Sequence, residues 1–222
     1  MKLPPVTYTF HRNYENCPRK AWHVNIARDL PKEDSEALRW GNQVHSAMEA
    51  RINKGTPLPA GMEKYEPFCH FGNFIHKAEV MLGIRENGQP CGFFDSDVWA
   101  RGKADVVVCG VDALMIFDWK TGKVREEPGE LELHAALIPS SEARRSGSYV
   151  WLQEMRVGQL HDLSGTQATL ERERKVRKEV EHAFKHGRDA FPPRQNPLCG
   201  WCPVKSCEFN RAQTHPVRSD SK

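Results

Sequence analysis

The chain has 222 residues, of which 39% are hydrophobic and 27% charged, and carries a formal net charge of +3. This length allows one substantial core, the composition excludes a disordered or membrane-embedded protein, and the mild charge does not by itself mark a nucleic-acid binder. No apolar run approaches the ~20 residues needed to cross a bilayer, and the opening Met-Lys-Leu-Pro-Pro-Val-Thr-Tyr lacks the apolar core of a signal peptide, so a reducing cytoplasm is expected and a membrane partner is not.

Along the chain, residues 7–30 read as a short helix at about 12–16 and a second one after Pro18, a residue tolerated in a first helical turn. Residues 36–53 read as a helix whose Val44, Met48 and Ile52 form an apolar stripe, with His45 about 100° away at its edge. Gly55 and Pro57 end it. Residues 57–76 carry no clear signal. A strand that includes Glu79 is expected from Lys77 to Arg85, and further strands at about 97–109 and 113–119, joined by a tight connection at Gly110-Val111-Asp112. A helix at about 129–139, a strand over 148–160 and a helix over 167–186 follow, the last with Val176, Val180 and Phe184 on one face and Pro192-Pro193 after it.

This order predicts an α/β fold with a central mixed β-sheet flanked by helices. One domain is expected over 1–212, with its core at about 36–190 and a polar, loose tail at 213–222.

Chemistry concentrates in Gly102-Lys103-Ala104-Asp105 and in Asp118-Trp119-Lys120-Thr121-Gly122-Lys123. Along a strand alternate side chains share a face, so Asp118 and Lys120 point one way and Trp119 the other. Two carboxylates and one ammonium are a poor basis for a core. They suit a hard divalent cation and a water activated for attack on phosphate. In that arrangement Asp105 and Asp118 bind the metal, the Trp119 carbonyl could add a third oxygen, and Lys120 orients the water and stabilises developing charge. His45, within Gly41-Asn42-Gln43-Val44-His45, adds an imidazole; this ligand is accepted more readily by manganese than by magnesium, so activity with both ions is expected. Glu130 and His134 are four apart on the next helix and share a face, either lining the site or contacting a strand, or simply forming an exposed polar face.

Seven cysteines in a cytoplasmic chain argue against a disulfide framework. Cys199, Cys202 and Cys207 have metal-ligand spacing. Cys17 or His215 could complete the set: four thiolates would hold an iron–sulfur cluster or zinc, and His215 would imply zinc. Cys69, Cys91 and Cys109 have no such spacing and read as buried small hydrophobes.

Together these pieces resemble the PD-(D/E)XK nuclease superfamily, in particular its RecB/AddB-type exonuclease branch, which includes the CRISPR-adaptation nucleases with an iron–sulfur cluster and is similar to phage-type exonucleases. Thr7 to Lys20 resembles that branch's opening and first cluster cysteine, Gly41 to His45 its Gly-x-x-x-His helix, Gly102 to Asp105 and Asp118 to Lys123 its metal motif, and Cys199, Cys202 and Cys207 its last cluster ligands. The resemblance implies a restriction-endonuclease-like core, with cluster-forming segments at about 7–30 and 195–210. It implies metal ligation by His45, Asp105 and Asp118, a catalytic Lys120, a [4Fe-4S] cluster on Cys17, Cys199, Cys202 and Cys207, and hydrolysis of linear DNA from its ends. There is one departure: Glu130 and His134 stand where the family commonly shows Gln-x-x-x-Tyr. Glu130, His134 and Lys123 remain candidate strand contacts. No Gly-x-x-x-x-Gly-Lys-Ser/Thr loop is present, so unwinding would fall to a helicase or a strand-annealing recombination partner. The competing readings are a DNA-end-binding subunit and a structure-selective endonuclease, and an oligomer is compatible with each.

Overall fold

The computed structural model describes residues 2–31, 34–124, 126–139 and 144–210. The expected tail at 213–222, with His215, lies outside them. The chain packs as two compact units, one of residues 33–172 and the other of residues 1–32 with 173–222.

The unit 33–172 holds a six-stranded mixed sheet. It opens with α3 (Glu36–Lys54), after α1 (Tyr8–Asn16) and α2 (Pro18–Ala21) of the other unit. The Ser35 side chain accepts from the Leu38 N–H, satisfying an otherwise orphaned donor, and Gly55 stops the helix at φ 70°. A 3-10 turn at Glu63–Cys69 leads to β1 (Ile75–Ile84), β2 (Ala100–Cys109) and β3 (Ala113–Lys120), an antiparallel meander. The turn between β2 and β3 closes where the Gly110 N–H donates to the Ala113 carbonyl at 2.8 Å. Helix α4 (Gly129–Leu137) then carries the chain to β4 (Arg144–Trp151), which lies parallel to β3. Parallel neighbours need such a crossover. Two short strands, β5 (Arg156–Val157) and β6 (His161–Asp162), pair with β4, and α5 (Thr166–Lys185) follows.

Helix α3 buries Val44 and Met48 against Ala78, Val106, Val108, Trp119, Val150 and Leu152 of the sheet. Trp119 thus faces α3. Lys120 meets Glu130 of α4, so α4 covers the opposite face. Its Leu131, Leu133 and Leu137 are buried, and Arg145 of β4 donates to the Ala135 and Ile138 carbonyls that end the helix. A cation there satisfies the last carbonyls and the helix dipole together.

In the other unit, α1 (Tyr8–Asn16) starts with the Thr7 hydroxyl accepting from the Phe10 N–H, and α2 (Pro18–Ala21) runs on into a π-helical turn at Trp22–Ala27. Phe10, Ala21, Ile26, Val180, Ala183 and Phe191 form its core. Buried His11 lies 2.6 Å from the Glu173 carboxylate. Among the described residues no helix is long and apolar enough to cross a membrane.

The sheet and its flanking helices agree with the sequence reading. The fourth strand begins at Arg144 and ends at Trp151, earlier at both ends than expected. Cys69 is buried, but Cys91 and Cys109 are partly exposed, which corrects their reading as buried hydrophobes.

Gly102 fixes the approach of α4 to the sheet. A Cβ there would stand 2.5 Å from Cδ2 of buried His134 and 3.3 Å from Leu137. Gly102→Ala is expected to cost about 1–3 kcal/mol by overpacking, read as a lower urea midpoint with an unchanged denaturant slope.

Candidate active site

The site begins at a fault in the first sheet ladder. β1 and β2 pair Ala78 with Val106 and Val80 with Ala104, but Glu79 and Asp105, which stand between these pairs, are left out of the ladder. Glu79 has φ 55°, in the left-handed region that non-glycine residues seldom enter. Ala78 lies in the core under α3, and Glu79 also reaches His45 of α3, so two successive residues serve one face. The Asn53 side chain holds the turn: it accepts from the Ala78 N–H at 3.0 Å and donates to the Ala78 carbonyl at 3.1 Å. β2 changes face over the same span. Gly102 looks toward α4, whereas Lys103 pairs with Glu79 and Val106 packs under α3.

This fault brings carboxylates to an imidazole. His45 Nδ1 is 3.2 Å from Asp105 Oδ1 and 3.7 Å from Glu79 Oε1. One ligand atom from each of His45, Glu79 and Asp105 falls within 4.8 Å of the others, the spacing a cation requires. Asp105 Oδ2 accepts from the Trp119 N–H at 2.8 Å, which ties β2 to the end of β3. Gly41 lets α3 come close: a Cβ there would be 3.2 Å from the Thr121 hydroxyl. The Glu79 carboxylate is largely buried, and its Oε1 lacks a hydrogen-bond partner. A buried carboxylate oxygen without a hydrogen-bond partner, close to a histidine and a second carboxylate, fits a divalent cation, which would give that oxygen its partner.

On the α4 side, Lys120 Nζ lies 2.6 Å from Asp118 Oδ2 and 2.8 Å from Glu130 Oε2. Asp118 is 3% exposed. Burial, then the nearby Asp105 charge, raises its pKa well above the usual carboxylate range, against the pull of Lys120. Burial works against the Lys120 charge, but Asp118 and Glu130 outweigh it and hold the ammonium protonated. His45 follows the same logic. Burial lowers its pKa, and the hydrogen bond to Asp105 and the nearby Glu79 carboxylate overcome this, carrying it up to about 10.

The expected His45, Asp105, Asp118 and Lys120 therefore come to one neighbourhood, and His45 and Lys120 line a common cavity of about 450 Å³ with Glu79, Lys103, Trp119 and Thr121. Asp118 lies outside the tight group of three, held by Lys120. Glu79 is the residue that sequence reasoning missed as a ligand; its place in a strand was legible, its left-handed backbone was not. Glu130 grips Lys120. His134 is 3% exposed beneath Gly102, so neither an exposed polar face nor strand contact describes it in this conformation. Burial lowers its pKa and keeps the imidazole neutral. Lys123 is exposed just beyond β3.

In the other unit, Cys17, Cys199, Cys202 and Cys207 line one cavity of about 200 Å³ together with Lys20 and Arg194. The Arg194 N–H donates to Cys17 Sγ at 3.4 Å, and the Asn196 N–H to Cys199 Sγ at 3.3 Å.

Two predictions follow from this geometry. A cation needs the neutral imidazole, and His45 is protonated below about 10, so magnesium affinity should rise with pH from 6 to 9 and binding should release at least one proton; calorimetry in buffers of different ionisation enthalpy measures both. Asn53→Ala should weaken magnesium binding by about tenfold, as for other residues that position ligands without bonding the metal, with only a small loss of thermal stability.

A family model of the PD-(D/E)XK nuclease superfamily matches residues 59–207. The match spans Asp105, Asp118, Lys120 and the three C-terminal cysteines. No curated protein matched the chain. The crystal structure of SSO0001 is similar in fold, with a TM-score of 0.53 over 95% of this chain and 89% of that one at 13% identity. With the mixed sheet and its carboxylate–histidine site, the family match covers well over half of the sequence, and the chain belongs to the PD-(D/E)XK nuclease superfamily.

Proposed function

We propose that the chain is a divalent-metal-dependent DNA exonuclease of the RecB/AddB-type branch, hydrolysing phosphodiester bonds from the ends of linear DNA in recombination, repair or phage DNA processing. The observation that carries this reading is the convergence of His45, Glu79 and Asp105 beside the Asp118–Lys120 pair. His45, Asp105 and Asp118, with the Trp119 carbonyl and Glu79, would hold magnesium or manganese. The bound ion supplies Lewis-acid polarisation of the phosphate and a more acidic water. Lys120, kept charged by Asp118 and Glu130, lines the cavity, and its ammonium would meet the charge that builds on phosphate in the transition state. Glu130 fixes that ammonium, a role that replaces direct strand contact. Both units act as one nuclease domain over 1–212, working in the cytoplasm, and a helicase or strand-annealing partner supplies opened ends.

The cysteine cavity is read as the seat of a [4Fe-4S] cluster on Cys17, Cys199, Cys202 and Cys207. The four cysteines line one cavity of about 200 Å³, and structural zinc on the same thiolates is the alternative. The backbone N–H groups that donate to Cys17 and Cys199 are of the kind that cluster sulfurs accept.

End-labelled linear DNA and closed circular DNA, incubated with manganese, test the activity. Linear DNA alone should be degraded, and Asp118→Ala should abolish cutting. Cutting of the circle would make the chain an endonuclease, and binding without cutting would favour an end-binding subunit. Lys120→Ala should lower kcat by orders of magnitude with little loss of DNA affinity, because the ammonium acts mainly in the transition state. After anaerobic purification, Cys17→Ser should reduce iron content and stability more than Cys69→Ser; equal behaviour would remove Cys17 from the ligand set.

A further inference from the structure

Lys103 sits on β2 two residues before Asp105. Ala104, Asp105 and Val106 are buried, yet the Lys103 side chain remains 48% exposed. Its ammonium pairs with Glu79 Oε2 and lines the same cavity as His45, Glu79 and Lys120. An ammonium has three N–H donors and no acceptor, and this pairing uses one of them. Two lysines line the cavity, and Lys120 is already bridged by Asp118 and Glu130. Glu49 and Glu79 line it too. A polyanionic strand entering such a cleft needs a cation with donors to spare, and of the two lysines Lys103 is the more exposed and pairs with one carboxylate where Lys120 pairs with two.

We propose that Lys103 is a substrate-binding residue of this cleft, anchored on Glu79 through one N–H and presenting the others to a backbone phosphate of the nucleic-acid strand. The proposal rests on the nuclease reading above and deepens it. It makes Glu79 serve two partners, with Oε2 positioning Lys103 and Oε1 left toward His45.

Lys103→Met keeps the apolar stem and removes the charge. With calcium saturating the site, the affinity of a short labelled duplex is measured across a range of salt concentrations for wild type, Lys103→Met and Lys103→Arg. The methionine variant should bind more weakly, and the slope of log affinity against log salt should shrink by about 0.9, the value for one lost phosphate contact. Arginine should retain the slope. Magnesium affinity should be unchanged or tighter in Lys103→Met, since a like charge has left the neighbourhood of the site. An unchanged salt slope would overturn the proposal. So would a joint loss of magnesium and DNA affinity, which would reduce Lys103 to an orienting partner of Glu79. Wild-type protein that neither bound nor cut the duplex would remove the nuclease reading itself, a result distinct from either.

Discussion

The structure depends on one local conflict between backbone pairing and charge. Where β1 and β2 should exchange hydrogen bonds at Glu79 and Asp105, the ladder is interrupted and Glu79 takes a left-handed φ of 55°. Such a backbone costs of order 1–3 kcal/mol and persists only where its surroundings impose it. Here the surroundings are the Asn53 amide on Ala78 and the Trp119 N–H on Asp105. The outcome is a set of largely buried carboxylates around one imidazole, with the Lys103 and Lys120 ammonium groups beside them. A divalent cation in place of the His45 proton would be held by the same atoms.

The same fault explains how two helices on opposite faces of one sheet serve one reaction. α3 brings His45 to the fault from one face, with Gly41 permitting the approach. α4 brings Glu130 to Lys120 from the other. β3 joins the two, because Asp118 and Lys120 point toward α4 while the Trp119 backbone holds Asp105. A change on either helix thus reaches His45, Asp105 and Lys120 through the strand ends.

Much of this was legible in the sequence. The apolar stripe of α3, the Val-rich β2, the turn at Gly110 and the Asp118-x-Lys120 alternation each follow from a local period, and each lies where that period puts it. The rest depended on tertiary context. The left-handed conformation of Glu79 has no local signature, since neither glycine nor asparagine stands there. The early start of β4 was hidden because Arg144, Arg145 and Ser146 carry no apolar alternation; Arg145 is buried by its hydrogen bonds to the end of α4. The spacing of His134 with Glu130 left open a site lining, a strand contact or an exposed face, and the missing side chain of Gly102 makes room for it beneath the sheet.

The most direct test of the account is anomalous diffraction from crystals grown with manganese. The account predicts a manganese ion bonded to His45, Asp105 and Glu79 at the ladder fault, with Asp118 turned toward it and Lys120 released from the carboxylate oxygen it now contacts. An ion bound elsewhere, with Glu79 still paired with Lys103 and His45 rather than with the ion, would contradict it.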